Sequence, residues 1–274
     1  MVDRYTHGHH DSVLRSHRWR TAENSAGYLV PALRPGLRLL DVGCGPGTIT
    51  VDLACRVAPG PVLGIDVAPD IIAEARAAGL RGGVENVRFA IGDVYALDHP
   101  DESFDVVHAH QVLQHLSDPV AALVEMRRAL EPGGLLAVRD SDYAAFAWAP
   151  RDPRLDRWME LYHQVTARNG AEADAGRFLL SWVRTAGFAD ITASSSTWTF
   201  ADASSRQWWG GLWAERVERS AFAEQALAYG LADRDELADL AEAWRAWAGV
   251  DDAVFIVVHG EVLARRPTGV LTSR

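Results

Sequence analysis

Between residues 37 and 140 short apolar runs alternate with longer stretches whose apolar residues recur at helical spacing. Leu37-Arg38-Leu39-Leu40-Asp41-Val42 follows a Pro35-Gly36 turn. A brief apolar run bounded by turn residues is what a parallel strand buried on both faces requires. Gly43 to Gly47 then leads into a helix over Thr48 to Val57. The pattern repeats with a strand at Pro61 to Asp66 and a helix from Pro69 to Ala78, Pro69 suiting its first turn and Gly79 its end. Further strands follow at Val87 to Ile91, Phe104 to Ala109 and Leu135 to Asp140. Before the last of these, Ser117-Asp118-Pro119 opens a helix with Val120, Leu123, Val124 and Leu130 on one face. Strands alternating with helices predict right-handed crossovers and a parallel sheet covered on both sides.

Upstream, residues 16–33 read as one helix, with Ser16 as its cap and Pro31 near its end. Beyond Asp140 the pattern becomes irregular. Residues 141–175 hold Tyr143, Phe146, Trp148 and Trp158, and Pro150 and Pro153 interrupt any long helix there. A helix at Gly176 to Ala186, a strand at Ile191 to Phe200, a tryptophan-rich helical stretch over 203–249 and a last strand at Val254 to Ala264 complete the chain. The pattern predicts an α/β core with two insertions in its later half.

Composition narrows the class. With 48% hydrophobic residues and ten tryptophans in need of burial, the chain is not disordered. No apolar run approaches the ~18–20 residues of a membrane span, and residues 1–20 contain no apolar export segment, so a cytoplasmic location is expected. Acids outnumber bases 37 to 27, a balance that disfavours nucleic acid and anionic membranes and favours an uncharged or cationic ligand. All 27 basic residues are arginine, which removes Schiff-base chemistry and a phosphate-loop lysine. Cys44 and Cys55 suggest neither a disulfide framework nor a zinc site; the histidines are scattered, His7, His9 and His10 at the N-terminus, and His108, His110 and His115 lack the spacing of a metal pair on one helix, so no metal is expected.

The chemistry concentrates at strand ends. Asp41-Val42-Gly43-Cys44-Gly45-Pro46-Gly47 joins a strand to a helix, so its glycines let the backbone turn tightly and approach a ligand lying over the helix N-terminus. The spacing is not the dinucleotide fingerprint, because Thr48 follows where that motif's longer interval would run. Asp66 closes the second strand, where a carboxylate can accept hydrogen bonds from both ribose hydroxyls; it could equally cap the next helix. Asp93 closes the third, where an acid can accept from an exocyclic amine or serve as a turn cap. Together with the glycine loop the two acids outline an adenosine-shaped cleft.

Leu40 to Gly47, Gly64-Ile65-Asp66, Gly92-Asp93-Val94 and Phe104-Asp105-Val106-Val107 with Leu113-Gln114-His115-Leu116 resemble the class I S-adenosylmethionine-dependent methyltransferases, and among them the UbiE-like small-molecule (methyltransferase type 11) subgroup. The resemblance runs from about residue 20 to 140. It implies a Rossmann-like, mostly parallel seven-stranded sheet in the order 3-2-1-4-5-7-6, strand 7 antiparallel, with helical cap insertions. It also implies an arm over 1–36 closing on the cofactor, a cofactor-binding core over 37–140, and the last two strands with an acceptor cap over 141–274. S-adenosylmethionine is the implied cofactor and S-adenosylhomocysteine its product.

Carried over by position, Gly43 and Gly45 would pass beneath the methionine part, Asp66 would bind the ribose, Val67 would pack on adenine, and Asp93 with Val94 would hold the adenine edge. His110 and Gln111 would touch the amino-acid end, and Tyr5 and Arg20 of the arm would meet the cofactor's carboxylate. The tetrapeptide typical of nucleic-acid amino methyltransferases is absent, in agreement with the acidic charge.

The expected partner is a small methyl acceptor of secondary metabolism, taken at O, N or C by a monomer or homodimer, with no nucleic acid and no membrane. His115 is the candidate general base, with Asp140 and Asp142 as alternatives. Tyr143, Phe146, Trp148, Trp208, Trp209 and Trp213 either line an aromatic acceptor pocket or form the cap's own core. Two other readings remain: a protein that binds S-adenosylmethionine without transferring its methyl group, and an NAD-dependent dehydrogenase, which the glycine spacing disfavours.

Overall fold

The computed structural model describes residues 3–8 and 10–269, so His9 lies outside the described residues. At the centre of the sheet is β1 (Leu39–Val42), every residue of which is buried. It pairs in parallel with β2 (Val62–Asp66) on one side and β4 (Phe104–His110) on the other. β3 (Val87–Ile91) lies beyond β2 and β5 (Leu130–Ser141) beyond β4, again in parallel. An antiparallel final strand, β8 (Val254–Arg265), runs between β5 and β7 (Ala189–Phe200). The expected order therefore holds, with one addition. A short strand, β6 (Ala147–Ala149), hooks onto the start of β8 on the side of β5 and makes the sheet eight-stranded.

Alternation along β1 divides the core. Leu40 and Val42 face α5 (Pro119–Ala129) and α7 (Ala175–Thr185), packing with Leu123, Met126, Leu179 and Val183. Leu39 faces the opposite side with Leu53 of α3 (Thr48–Val57) and Ile72 of α4 (Pro69–Gly82). Each such side chain contributes roughly 1.5–3 kcal/mol by leaving water. The later insertions form a third core, in which α6 (Pro153–Arg168), α8 (Ala203–Arg219), α9 (Ala221–Ala228) and α10 (Arg234–Ala248) enclose Trp158, Trp213 and Trp244. Trp158 meets both partners edge-on, at 4.6 and 4.9 Å between centroids.

Three local expectations are corrected. The single helix over 16–33 is instead α1 (Asp11–Arg18), α2 (Ala22–Ser25) and a 3-10 turn at Val30–Ala32. The break comes from a capping box. Thr21 Oγ1 accepts from the Asn24 amide (3.2 Å) and Asn24 Oδ1 accepts from the Thr21 amide (2.9 Å), so a new helix starts there. Ser16 caps nothing, its hydroxyl donating to Val13 O (2.7 Å) within α1. α4 does not stop at Gly79, which packs against Phe89 and Val87, but runs on to Gly82 with Gly83 as its left-handed cap. Pro153 does not interrupt a helix but begins the 16-residue α6, behind the capping carboxylate of Asp152.

Candidate active site

Parallel register brings the carboxyl ends of β1 to β4 to one edge, with Val42 beside both Ile65 and Ala109. A cleft of about 310 Å³ opens at this edge. All ten residues assigned above to the cofactor line it: Tyr5, Arg20, Gly43, Gly45, Asp66, Val67, Asp93, Val94, His110 and Gln111. The two glycines differ in what surrounds them. A Cβ on Gly43 would lie 2.4 Å from Val112 Cγ2, whereas one on Gly45 would meet only His17 Nδ1, at 3.9 Å. The backbone at Gly45 is thus bare toward the cleft, and its left-handed conformation (φ 54°) suits glycine.

Asp66 is held ready by backbone donors, its two oxygens accepting from Gly45 N (3.2 Å) and Ala68 N (3.1 Å). Val67 beside it is 67% exposed, an apolar surface at the cleft rim with no protein partner to cover most of it. Asp93 accepts from Tyr95 N (2.9 Å), and Val94 is buried. Beneath the loop, Asp41 accepts from Thr50 Oγ1 (2.5 Å) and pairs with His108 Nδ1 (2.7 Å), fixing the end of β1 to α3 and β4. These features fit an adenosyl ligand: a bare backbone strip, an exposed apolar rim and two carboxylates at adjacent strand ends.

The arm closes one side of the cleft through Asp3, Tyr5, Leu14, His17 and Arg20. Arg20 donates to Gln111 Oε1 (2.5 Å), and the Gln111 amide donates to Ser141 Oγ (2.6 Å). Burial draws the Arg20 guanidinium down to a pKa of about 9. His110 is buried with Arg139 at 3.4 Å, and burial holds its imidazole well below the ordinary range.

The structure argues against His115 as a base. Burial, aided by Arg20, pulls its pKa down to about 3, far from the neutral value that efficient proton transfer needs. Its Nε2 also accepts from the Gln114 amide (2.9 Å), whose orientation is fixed because Gln114 Oε1 accepts from Ser141 N (3.1 Å). The two alternatives are held away from the cleft. Asp142 is clamped by Arg177 (2.7 and 2.5 Å), and Asp140 is pushed up to about 8 by burial, accepts from Gln114 N (3.1 Å) and lies behind the cleft wall.

Among the aromatic acceptor candidates, Tyr143 and Trp209, with Phe146 and Trp213, line a second, smaller cavity of about 30 Å³. Trp148 lines neither cavity. It sits on β6, stacked on Phe255 at 5.7 Å, and belongs to the cap core. Sequence reasoning missed His17, which lines both cavities, and His7, Trp198 and Arg216, which line the second. They carry no local motif; only the packing of the arm and α8 over the sheet assembles them.

This geometry belongs to a methyltransferase. The family model for a methyltransferase domain matches residues 33–198, and the chain belongs to that family. It is 33% identical to an uncharacterized methyltransferase of Schizosaccharomyces pombe, over 96% of both chains. It is 30% identical to the probable methyltransferase ltbC of Aspergillus luteorubrus, over 96% of this chain and 98% of that one. In structure it resembles the YcgJ protein of Bacillus subtilis, with a TM-score of 0.57 and 19% identity over 89% of this chain and 98% of that one. The protein is a class I S-adenosylmethionine-dependent methyltransferase.

Proposed function

We propose that the chain methylates a small organic molecule that enters between the arm and the cap. The observation that carries this reading is the way Tyr5, His17 and Arg20 wall both cavities, so that cofactor cleft and cap cavity meet behind a closed arm. Enclosure of this kind suits a compact acceptor. Residues 1–36 serve as the arm, 37–140 as the cofactor core and 141–274 as the rest of the core with the acceptor cap.

When bound, the cofactor's sulfonium supplies an electrophilic methyl group for in-line displacement. Asp66 takes the ribose, Val67 covers one adenine face, and Asp93 with Val94 takes the adenine edge. Gly43 and Gly45 underlie the methionine part, and Tyr5, Arg20, His110 and Gln111 surround its amino-acid end. With the His115 imidazole held at a low pKa by burial, the protein works chiefly by orientation and exclusion of water, which can supply ~7–11 kcal/mol in favourable cases. Among the described residues no helix is long and apolar enough to cross a membrane. A cytoplasmic enzyme of secondary metabolism, acting as a monomer or homodimer without nucleic acid, fits these features.

Methyl-labelled S-adenosylmethionine offered to fractionated cell extract tests the acceptor class. Label is expected in the small-molecule fraction alone; enzyme-dependent label in RNA or protein would overturn the reading.

A further inference from the structure

The 30 Å³ cavity is lined by two guanidiniums, Arg20 and Arg216, and by no carboxylate. Arg216 is 4% exposed and among the described residues donates only to neutral oxygens, Ser12 O (3.0 Å) and Ser16 Oγ (2.5 Å). Its guanidinium stacks over Trp213 at 5.0 Å. Among the described residues neither arginine has a carboxylate within ion-pair distance, in a chain where acids are in surplus. A buried cation without a counter-charge is costly unless something supplies one.

Six of the fourteen buried side-chain polar atoms without a partner among the described residues lie on this cavity's wall; the rest, Trp158 Nε1 and Trp244 Nε1 among them, lie elsewhere. Arg20 Nε, Arg216 Nε, Trp209 Nε1, Trp213 Nε1, His7 Nδ1 and His115 Nδ1 are buried without a hydrogen-bond partner among the described residues. The first four are donors by their chemistry. His115 Nδ1 is a donor too, because its Nε2 accepts from Gln114 and the ring is neutral. Buried donors are normally paired, so orphans concentrated on one cavity wall mark a missing acceptor of hydrogen bonds.

We propose that this cavity receives an anionic oxygen group of the methyl acceptor, a carboxylate or a similarly delocalised oxyanion, held by Arg216 with the indole and imidazole N–H groups around it. The volume suits the head group alone, with the remainder of the acceptor extending along the wall shared with the cofactor cleft. The inference rests on the methyltransferase reading of that cleft. It also departs from the overall charge: a molecule with a net charge of -10 carries a locally cationic, acid-free pocket where its acceptor binds.

The test is titration of the S-adenosylhomocysteine-saturated protein with acetate and benzoate, and with acetamide and benzamide, followed by tryptophan fluorescence and melting temperature. Saturable, stabilising binding of the two anions but not of the amides is expected. Affinity for the anions should fall about tenfold or more in Arg216→Gln and recover partly in Arg216→Lys. Because Arg216 also ties α8 to α1, Trp213→Phe is the second variant. It keeps a ring and deletes one orphaned donor, and because Trp213 is packed in the cap core it also costs stability, so its weakened anion binding is read on the folded variant, with S-adenosylhomocysteine affinity unchanged. Equal binding of anions and amides, no anion binding at tens of millimolar, or full affinity in both variants would overturn the proposal. Anion binding that competes with S-adenosylhomocysteine would also overturn it, by giving the pocket to the cofactor's own carboxylate. Failure of S-adenosylhomocysteine itself to bind would instead strike the functional reading beneath.

Discussion

Lowered from pH 7 to 4, the protein is expected to lose stability steeply and to unfold cooperatively well before its surface carboxylates are titrated. Five imidazoles, those of His7, His17, His110, His115 and His259, are held neutral by burial and by nearby arginines, with pKa values below the ordinary 6.5. The unfolded chain takes up these protons from about pH 6.5 downward, and the native chain does not. Their contribution is therefore complete above the unfolded value and is lost as pH falls toward the folded ones. Each histidine adds up to about 1.4 kcal/mol per pH unit to the slope.

Asp140 works in the opposite sense. Its folded pKa of about 8 lies above the unfolded 3.8, so its contribution is complete below pH 4 and lost as pH rises through 8. Asp140→Asn should accordingly melt higher than wild type at pH 9 and close to it at pH 4. Denaturant midpoints across pH 4–9 for both proteins check the pair of signs. A flat profile in the acid range would mean that these rings are not buried as described.

The second large effect separates two glycines only two residues apart. Gly45→Val should remove S-adenosylhomocysteine binding, by about a hundredfold or more, because its side chain would enter the strip of cleft where, among the described residues, only His17 comes within 4 Å; the φ of 54° there adds a strain cost to stability as well. At Gly47 a Cβ would lie 3.0 Å from both Ala75 Cβ and Phe89 Cζ at a φ of 82°. Gly47→Ala should therefore act on stability, costing ~1–3 kcal/mol through strain and overpacking between α3, α4 and β3. Calorimetric titration of the folded variants distinguishes the two, since both lose stability but only Gly45→Val loses affinity. Equal loss of affinity with unchanged stability in both variants would refute the division of labour within the loop.

What the sequence discloses and what it hides follow from where the forces act. A parallel strand buried on both faces must be a short apolar run, so β1 to β5 stand out locally, and the acids and glycines that follow them mark the cleft. The break between α1 and α2 depends on a four-residue capping box that a helical pattern runs straight through. The cap's tryptophans were ambiguous because core and pocket both call for rings. In the fold Trp148 serves the core, whereas Trp209, stacked on Phe200 at 4.3 Å, serves core and cavity at once. Arg216 was invisible as a site residue because it meets Ser12 and Ser16 only across about two hundred residues of chain. The overall acidic charge likewise gave no hint of the cationic pocket, since net charge averages over the surface and the pocket is buried.

That the ends of β1, β2 and β3 form an adenosyl site is directly testable. The most direct measurement is calorimetric titration of wild type and Asp66→Ala with S-adenosylmethionine, S-adenosylhomocysteine and NAD. Wild type should bind both adenosyl ligands and not NAD, and Asp66→Ala, folded by its melting curve, should lose at least about tenfold in affinity for each as a charged hydrogen-bond acceptor disappears. Binding of NAD without the adenosyl ligands, or unchanged affinity in Asp66→Ala, would contradict it.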